Sequence, residues 1–511
     1  MMKRMIGFLM LLVLLVGCAN PLVEERPYNG MMNPRMENRN SMMNPRTENR
    51  NGMMNPQDGN RNTHMTLNNV GPLEASKGLN ALKIPEVLEK ATDSEYDYEI
   101  TAQIGSTEFF EGIQTETFGY NGDLLGPTVR LRKGETVQVK INNELDVPTT
   151  VHWHGLEIPG DADGGPSHLI SPGESKVVTL KANQPSATLW YHPHPHGNTG
   201  EQVYKGLGGM LYIDDSDADE AIYPNEYGIN DFPLIFQDRQ YDENSQLNYN
   251  QVMNFDGTIG NISLVNGTID PVLTVDEPLI RLRMLNASNA REYTFRLSNG
   301  ATFKQIASDG SRLIQPVEMK EIILTPSERV EVLVDLSEVD LNETVAITDE
   351  FGNTLLPIER AFNSQETKEI PEMVSEEIFL SEEEKQLPVT KEIELFGRMN
   401  MVTINGRKFD PNRIDLRQEQ GVTEVWEIYN RPDMMGGMTH PFHIHGTQFK
   451  VISRDGIEVS PNEQGLKDSV LVESGERVKL LVSFPEKGVF PFHCHILEHE
   501  DNGMMGLIEV Y

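Results

Sequence analysis

The chain has 511 residues, with 43 Lys and Arg against 78 Asp and Glu, giving a formal net charge of −35. That balance excludes nucleic acid as a partner, because phosphate binding needs clustered Lys and Arg. It suits a solvated acidic surface that also gathers metal cations. The length provides for several domains of ordinary size.

The N-terminus opens with Lys3-Arg4, and the apolar run from Met5 to Val16 is too short to span a bilayer comfortably. Leu15-Val16-Gly17-Cys18 resembles a bacterial lipobox, so residues 1–17 are expected as a lipoprotein signal peptide and Cys18 as the lipidated residue. The protein is then expected outside a bacterial membrane, anchored to it by that lipid. An ordinary secretory signal with an incidental cysteine is the alternative. With Cys18 lipidated, Cys494 is the one cysteine left, and no disulfide can form. A chain this long can build a core without one.

Residues 18–95 are expected as a disordered tether. An imperfect eleven-residue repeat begins at Met31, Met42 and Met53, each time with Met-Met-Asn-Pro. A proline in every repeat, abundant Asn and almost no branched apolar residues argue against a helix. Thioethers select Cu(I), so this tail either collects that ion, together with His64-Met65, or serves only as a spacer.

From residue 96 onward, short alternating strands separated by turn residues predict an all-β fold. Two sets of internal repeats organise it. Asn121-Gly122, Asn266-Gly267 and Asn405-Gly406 form one; Pro172-Gly-Glu-Ser, Pro326-Ser-Glu-Arg and Ser474-Gly-Glu-Arg form the other. Both recur about every 140–155 residues. Three homologous β-sandwich domains are expected over 96–216, 217–360 and 390–511, with 361–389 as a linker.

The chemistry lies in thirteen histidines. Ten fall in four clusters: His152/His154, His192/His194, His440/His443/His445 and His493/His495/His499. Cys494, His499 and Met504 are spaced five and five. A thiolate, imidazoles and a thioether are the ligands of a blue copper centre, whose second imidazole His440 supplies. On an extended strand side chains alternate between faces, so His493 and His495 should point away from Cys494. The remaining eight imidazoles form four His-x-His pairs, more than a zinc site takes and suited to three copper ions sharing ligands. No histidine lies between His196 and His440, so the cluster should sit between the first and third repeats, with the second as a brace. His168 and His196 are expected to be structural or supporting residues.

These four motifs resemble those of the multicopper oxidases, over roughly residues 96–511. The likeness to the bacterial cuprous oxidases rests on the stretch from His152 through Asp163 to Pro166 and on Tyr191-His-Pro-His-Pro-His-Gly-Asn-Thr199. It implies three cupredoxin-like Greek-key sandwiches and four copper ions. A type 2 copper would take His152 and His443. A type 3 pair would take His154, His192 and His495 on one ion and His194, His445 and His493 on the other. A type 1 copper would take Cys494, His440, His499 and, axially, Met504. The resemblance also implies that Asp163 and Glu500 are proton relays, with ordinary surface or supporting carboxylates as the other reading.

The implied reaction couples four one-electron oxidations to reduction of O2 to water. Asp433, Met434, Met435 and Met438 resemble a substrate Cu(I) site, although Gly436-Gly437 disturbs the spacing; a flexible loop rimming a phenol-binding cleft is the alternative. Oxidation of toxic Cu(I) is the expected activity. Phenols, Fe(II) or Mn(II) are alternative substrates, and a non-catalytic copper-sequestering lipoprotein is the reading from another class. The chain is expected to act as a monomer.

Overall fold

The computed structural model describes residues 72–511 apart from Asp93, 216–221, 250–256, Glu338, 340–342, 363–369, 371–379 and Met435. The signal peptide, Cys18, the methionine repeats, His64, Met435 and most of the 361–389 linker therefore lie outside the described residues. What is described is almost entirely β, its helices being short, such as Thr199–Lys205 and Leu497–Asp501.

The strands gather around three large hydrophobic cores. The first joins Tyr98, Ile100, Val139, Trp153, Leu189 and Ile213. It is enclosed by a four-stranded sheet that includes Tyr98–Phe110 and Thr136–Asn143, and by a three-stranded sheet that includes Ala187–Tyr191. The second is built on Leu282, Phe295 and Val332 between sheets of seven and six strands. The third joins Trp426, Phe442, Phe492, Cys494 and Met504 between sheets of six and five. Alternation explains how these strands bury one face: Thr136–Asn143 reads exposed and buried almost in strict turn. Leu279–Asn286 is instead buried throughout, its Arg281 and Arg283 included.

The sequence repeats have one physical basis. Asn121, Asn266 and Asn405 all adopt a left-handed conformation, φ 55, 50 and 50°, which Asn tolerates better than most residues. Each turns its side-chain amide onto the first strand of its own unit. Asn121 Oδ1 accepts from Thr101 N at 2.7 Å, Asn266 from Ile235 N at 2.8 Å and Asn405 from Glu394 N at 2.6 Å. The amide nitrogens donate to the carbonyls two residues earlier, on Glu99, Pro233 and Glu392. A second triplet, not singled out in the sequence, is Asn143, Asn286 and Asn430. Each stands at the end of a strand or one residue before it and ties down the following loop, at Val147, Arg291 and Met438 respectively. The spans are four, five and eight residues. The third unit thus carries a longer loop immediately before His440.

One boundary differs from expectation. Residues 72–91, placed in the tether by composition, are an extended strap. Leu73 enters the second core, with Leu82 and Ile84 packed against it. Asn80–Ala81 pairs in parallel with Pro271–Val275. The strap then exchanges backbone bonds with Thr128 and rests Leu88 on the first core. Four apolar residues spread over a polar stretch suffice to dock it, and the average composition of 18–95 hides them.

Candidate metal centre

The penultimate strand, Gly488–Cys494, pairs with His440–Ile444 on one side and Met505–Val510 on the other. Its pleat separates neighbours as expected. Cys494 groups with His440 and His499, whereas His493 groups with His194 and His445, and His495 with His154 and His192. One buried strand end thus reaches three clusters of potential ligands.

Cys494 Sγ lies 3.4 Å from His440 Nδ1 and 3.7 Å from His499 Nδ1. Met504 is fully buried in the same core, and its carbonyl accepts from Cys494 N at 3.1 Å. Burial pushes the thiol pKa up, so only a cation in contact would draw out the thiolate.

The eight paired histidines converge between the first and third units, all at most 1 % exposed. Burial pushes His154, His192, His194, His443, His445, His495 and His499 well below the usual imidazole range. His440 falls to about 4 and His493 to about 3 for the same reason. These are neutral rings, and their hydrogen bonds identify the nitrogens that carry protons. His445 Nδ1 donates to Asp163 Oδ2 at 2.8 Å, and His493 Nδ1 to the Cys494 carbonyl at 3.1 Å. His194 Nδ1 faces Glu500 Oε1 at 3.4 Å. The Nε2 atoms of His445 and His493 are left as lone pairs 3.1 Å apart, with His194 Nε2 also 3.1 Å from that of His493. Lone pairs at that separation repel unless a cation lies among them.

The same logic holds elsewhere in the cluster. His192 Nδ1 donates to Pro193 O at 2.9 Å, leaving Nε2 to face His154 Nδ1 at 3.3 Å. His152 and His443 bind the carbonyls of Asp163 and Asp468 through Nδ1, and their buried Nε2 atoms have no partner. Such orphaned donor atoms on oriented rings are what a metal with imidazole ligands requires. The residues fit copper.

Asp163 and Glu500 both reach the cluster. Asp163 is buried, its second oxygen 3.5 Å from His152 Nδ1. Glu500 lies 3.4 Å from Nδ1 of both His194 and His493, and Thr199 Oγ1 donates to it at 2.8 Å. Burial, reinforced by Asp501, pushes the Glu500 carboxyl well above the usual range. His168 and His196 stand apart from the ligand groups, and His196 packs edge-on against Phe409.

Asp433 is held by Arg398 Nε at 2.9 Å and by Gly437 N at 2.9 Å. Met438 packs against the third core, and Met434 is fully exposed. Asp433 thus closes the loop onto Arg398 and is absent from every ligand group found among the described residues. Sequence reading also missed Asp468, whose Oδ1 lies 3.0 Å from His154 Nε2, and its partner Arg329.

Two stretches, residues 92–218 and 382–511, match the multicopper oxidase family. A multicopper oxidase from Staphylococcus haemolyticus is 48% identical over 440 residues, 86% of this chain and 94% of its own length. The chain belongs to the multicopper oxidase family. A solved multi-copper oxidase from Pediococcus acidilactici superposes with a TM-score of 0.81 at 40% identity, covering 87% of this chain and 94% of that one. The cell division protein FtsP of Photorhabdus laumondii is 34% identical over 450 residues, 83% of this chain and 91% of its own length. Membership makes this an oxidoreductase with copper cofactors that passes electrons from a reducing substrate to O2.

Proposed function

We propose that this multicopper oxidase carries four copper ions and oxidises Cu(I) to Cu(II). Cys494, His440, His499 and Met504 would hold the type 1 ion; His152 and His443 the type 2 ion. His154, His192 and His495 would hold one member of the type 3 pair, and His194, His445 and His493 the other. Bound copper would supply one-electron acceptance beside Cys494 and four-electron reduction of O2 to water at the imidazole cluster.

The protein's own contribution is positional. Cys494 is joined through the backbone to His493 and His495, giving a covalent route between the two centres. Asp163 orients His445 and His152, and Glu500 lies beside His194 and His493; each carboxylate is placed to hand on a proton. Burial keeps bulk water from the cluster, which limits loss of partly reduced oxygen.

The reading of the substrate rests on one observation: two segments that meet beside His440 both carry methionines. The segment 397–401 contributes Met399 and Met401, Met401 being 67% exposed, and Gly397 accepts a hydrogen bond from His440. The loop 432–438 contributes Met434 and Met438. Soft thioethers select Cu(I) over harder cations, and Asp433 is taken up by Arg398. Oxygen uptake by the copper-loaded protein with Cu(I) and with a phenol tests this. Met401→Leu and Met438→Leu should raise KM for Cu(I) and leave the phenol reaction alone. Turnover of the phenol but not of Cu(I) would make the enzyme laccase-like.

The likeness to FtsP, a cell division protein, favours a second reading in which the chain has a role other than substrate turnover. Blue colour without oxygen uptake would support it. An extracytoplasmic position, with lipid on Cys18, remains part of the proposal, and labelling with a fatty-acid analogue would test it.

A further inference from the structure

The second β-unit supplies no imidazole, yet one of its side chains grips a carboxylate that touches the cluster. Arg329 starts the strand Arg329–Asp335 and is completely buried. Its Nη1 and Nη2 each lie 2.6 Å from a different oxygen of Asp468, a residue of the third unit. Its Nε donates to the carbonyl of Thr188 in the first unit at 3.0 Å. Asp468 Oδ1 in turn lies 3.0 Å from His154 Nε2, with Ser469 Oγ 3.3 Å from the same nitrogen.

We propose that Asp468, locked by Arg329, is a positioning residue that selects the tautomer of His154 and so completes one half of the type 3 pair. A carboxylate paired at both oxygens with a guanidinium can only accept. His154 therefore carries its proton on Nε2 and presents Nδ1 to His192 Nε2, 3.3 Å away. His192, His443, His445 and His493 are arranged the other way, with Nδ1 bonded to oxygen and Nε2 inward. Without the carboxylate, Nε2 loses its nearer acceptor and keeps only the Ser469 hydroxyl, 3.3 Å away, which can equally donate. The second unit is then part of the cluster's machinery, beyond bracing the other two. Neutralising one partner alone would leave a buried unpaired charge, so both must be changed together.

The inference rests on the copper assignment proposed above, and the test separates the two. The natural chain, Arg329→Met/Asp468→Asn and Arg329→Met/Asp468→Leu are loaded with copper. Both variants lack the two charges, but only the Asn variant keeps an acceptor for the Nε2 proton. Bound copper, the near-ultraviolet absorption of a coupled copper pair and the blue absorption at Cys494 are measured on each. The natural chain and the Asn variant should show the coupled pair. The Leu variant should stay blue, lose the coupled-pair band and bind copper at the cluster about 10- to 100-fold more weakly. A Leu variant matching the Asn variant overturns the proposal, and so does an Asn variant that loses as much as the Leu variant. A natural chain without the coupled-pair band overturns the copper assignment, and the positioning role with it.

Discussion

Oδ2 of Asp163 lies 2.8 Å from Nδ1 of His445, a residue 282 positions further along the chain. This bond crosses from the first β-unit to the third and fixes the ring so that Nε2 faces His493. Asp163→Leu, which removes the acceptor, should therefore disturb oxygen reduction without disturbing electron entry. Steady-state oxygen uptake is expected to fall about 10- to 100-fold. Anaerobic bleaching of the blue colour by a reductant should proceed at the natural rate.

Glu500 lies between His194 and His493 and is bonded to Thr199, and the proposed function makes it a proton relay. Glu500→Gln keeps the size and the hydrogen bond and removes the proton exchange. A fall of about 100-fold or more in oxygen uptake is expected, with copper content unchanged. A Glu500→Gln enzyme of natural activity would exclude the relay.

The Asn turns make a prediction about stability. Asn266 is buried, and its side chain bonds Ile235 N, Pro233 O and Lys83 O. Asn266→Ala forfeits these bonds and keeps a left-handed backbone, at a cost of about 2–4 kcal/mol. Asn405→Ala, in an exposed turn, should cost about 1 kcal/mol. Denaturant unfolding of the two variants checks the ranking.

Glu157 carries a pH effect apart from the metal centre. Burial raises its carboxyl to about 7, and Gln448 N donates to it at 3.0 Å. The folded state then holds a proton that the unfolded chain releases near 4.5. The resulting stability is complete below that value and is lost as pH rises through 7. Glu157→Gln should melt like the natural protein at about pH 4, below the unfolded value, and above it at about pH 8, past the folded one. Since Glu157 is half-buried and water partly screens it, the gain is expected at about 1 kcal/mol.

Much of the centre could be read from the sequence because its ligands obey local geometry. The period of two in a strand is enough to set Cys494 against His493 and His495, and four His-x-His pairs outnumber the needs of any simpler site. Arg329 was beyond reach for a definite reason. At the same place in the internal repeat stand Ser175 and Arg477, both exposed. Only packing of the second unit against the other two buries the middle one, and no local pattern encodes that. Arg398 and Asp433 pair across 35 positions, a contact that no local spacing in the sequence announces. The strap was missed for the opposite reason: its few apolar anchors are diluted by polar neighbours.

The central claim is that Cys494 links an electron-accepting copper to an oxygen-reducing cluster of three. Cys494→Ser measures it most directly, by copper content, colour and oxygen uptake beside the natural enzyme. The account predicts a colourless protein that retains the three copper ions of the imidazole cluster and no longer turns over O2 with substrate. A variant that stays blue and consumes oxygen at the natural rate would contradict it.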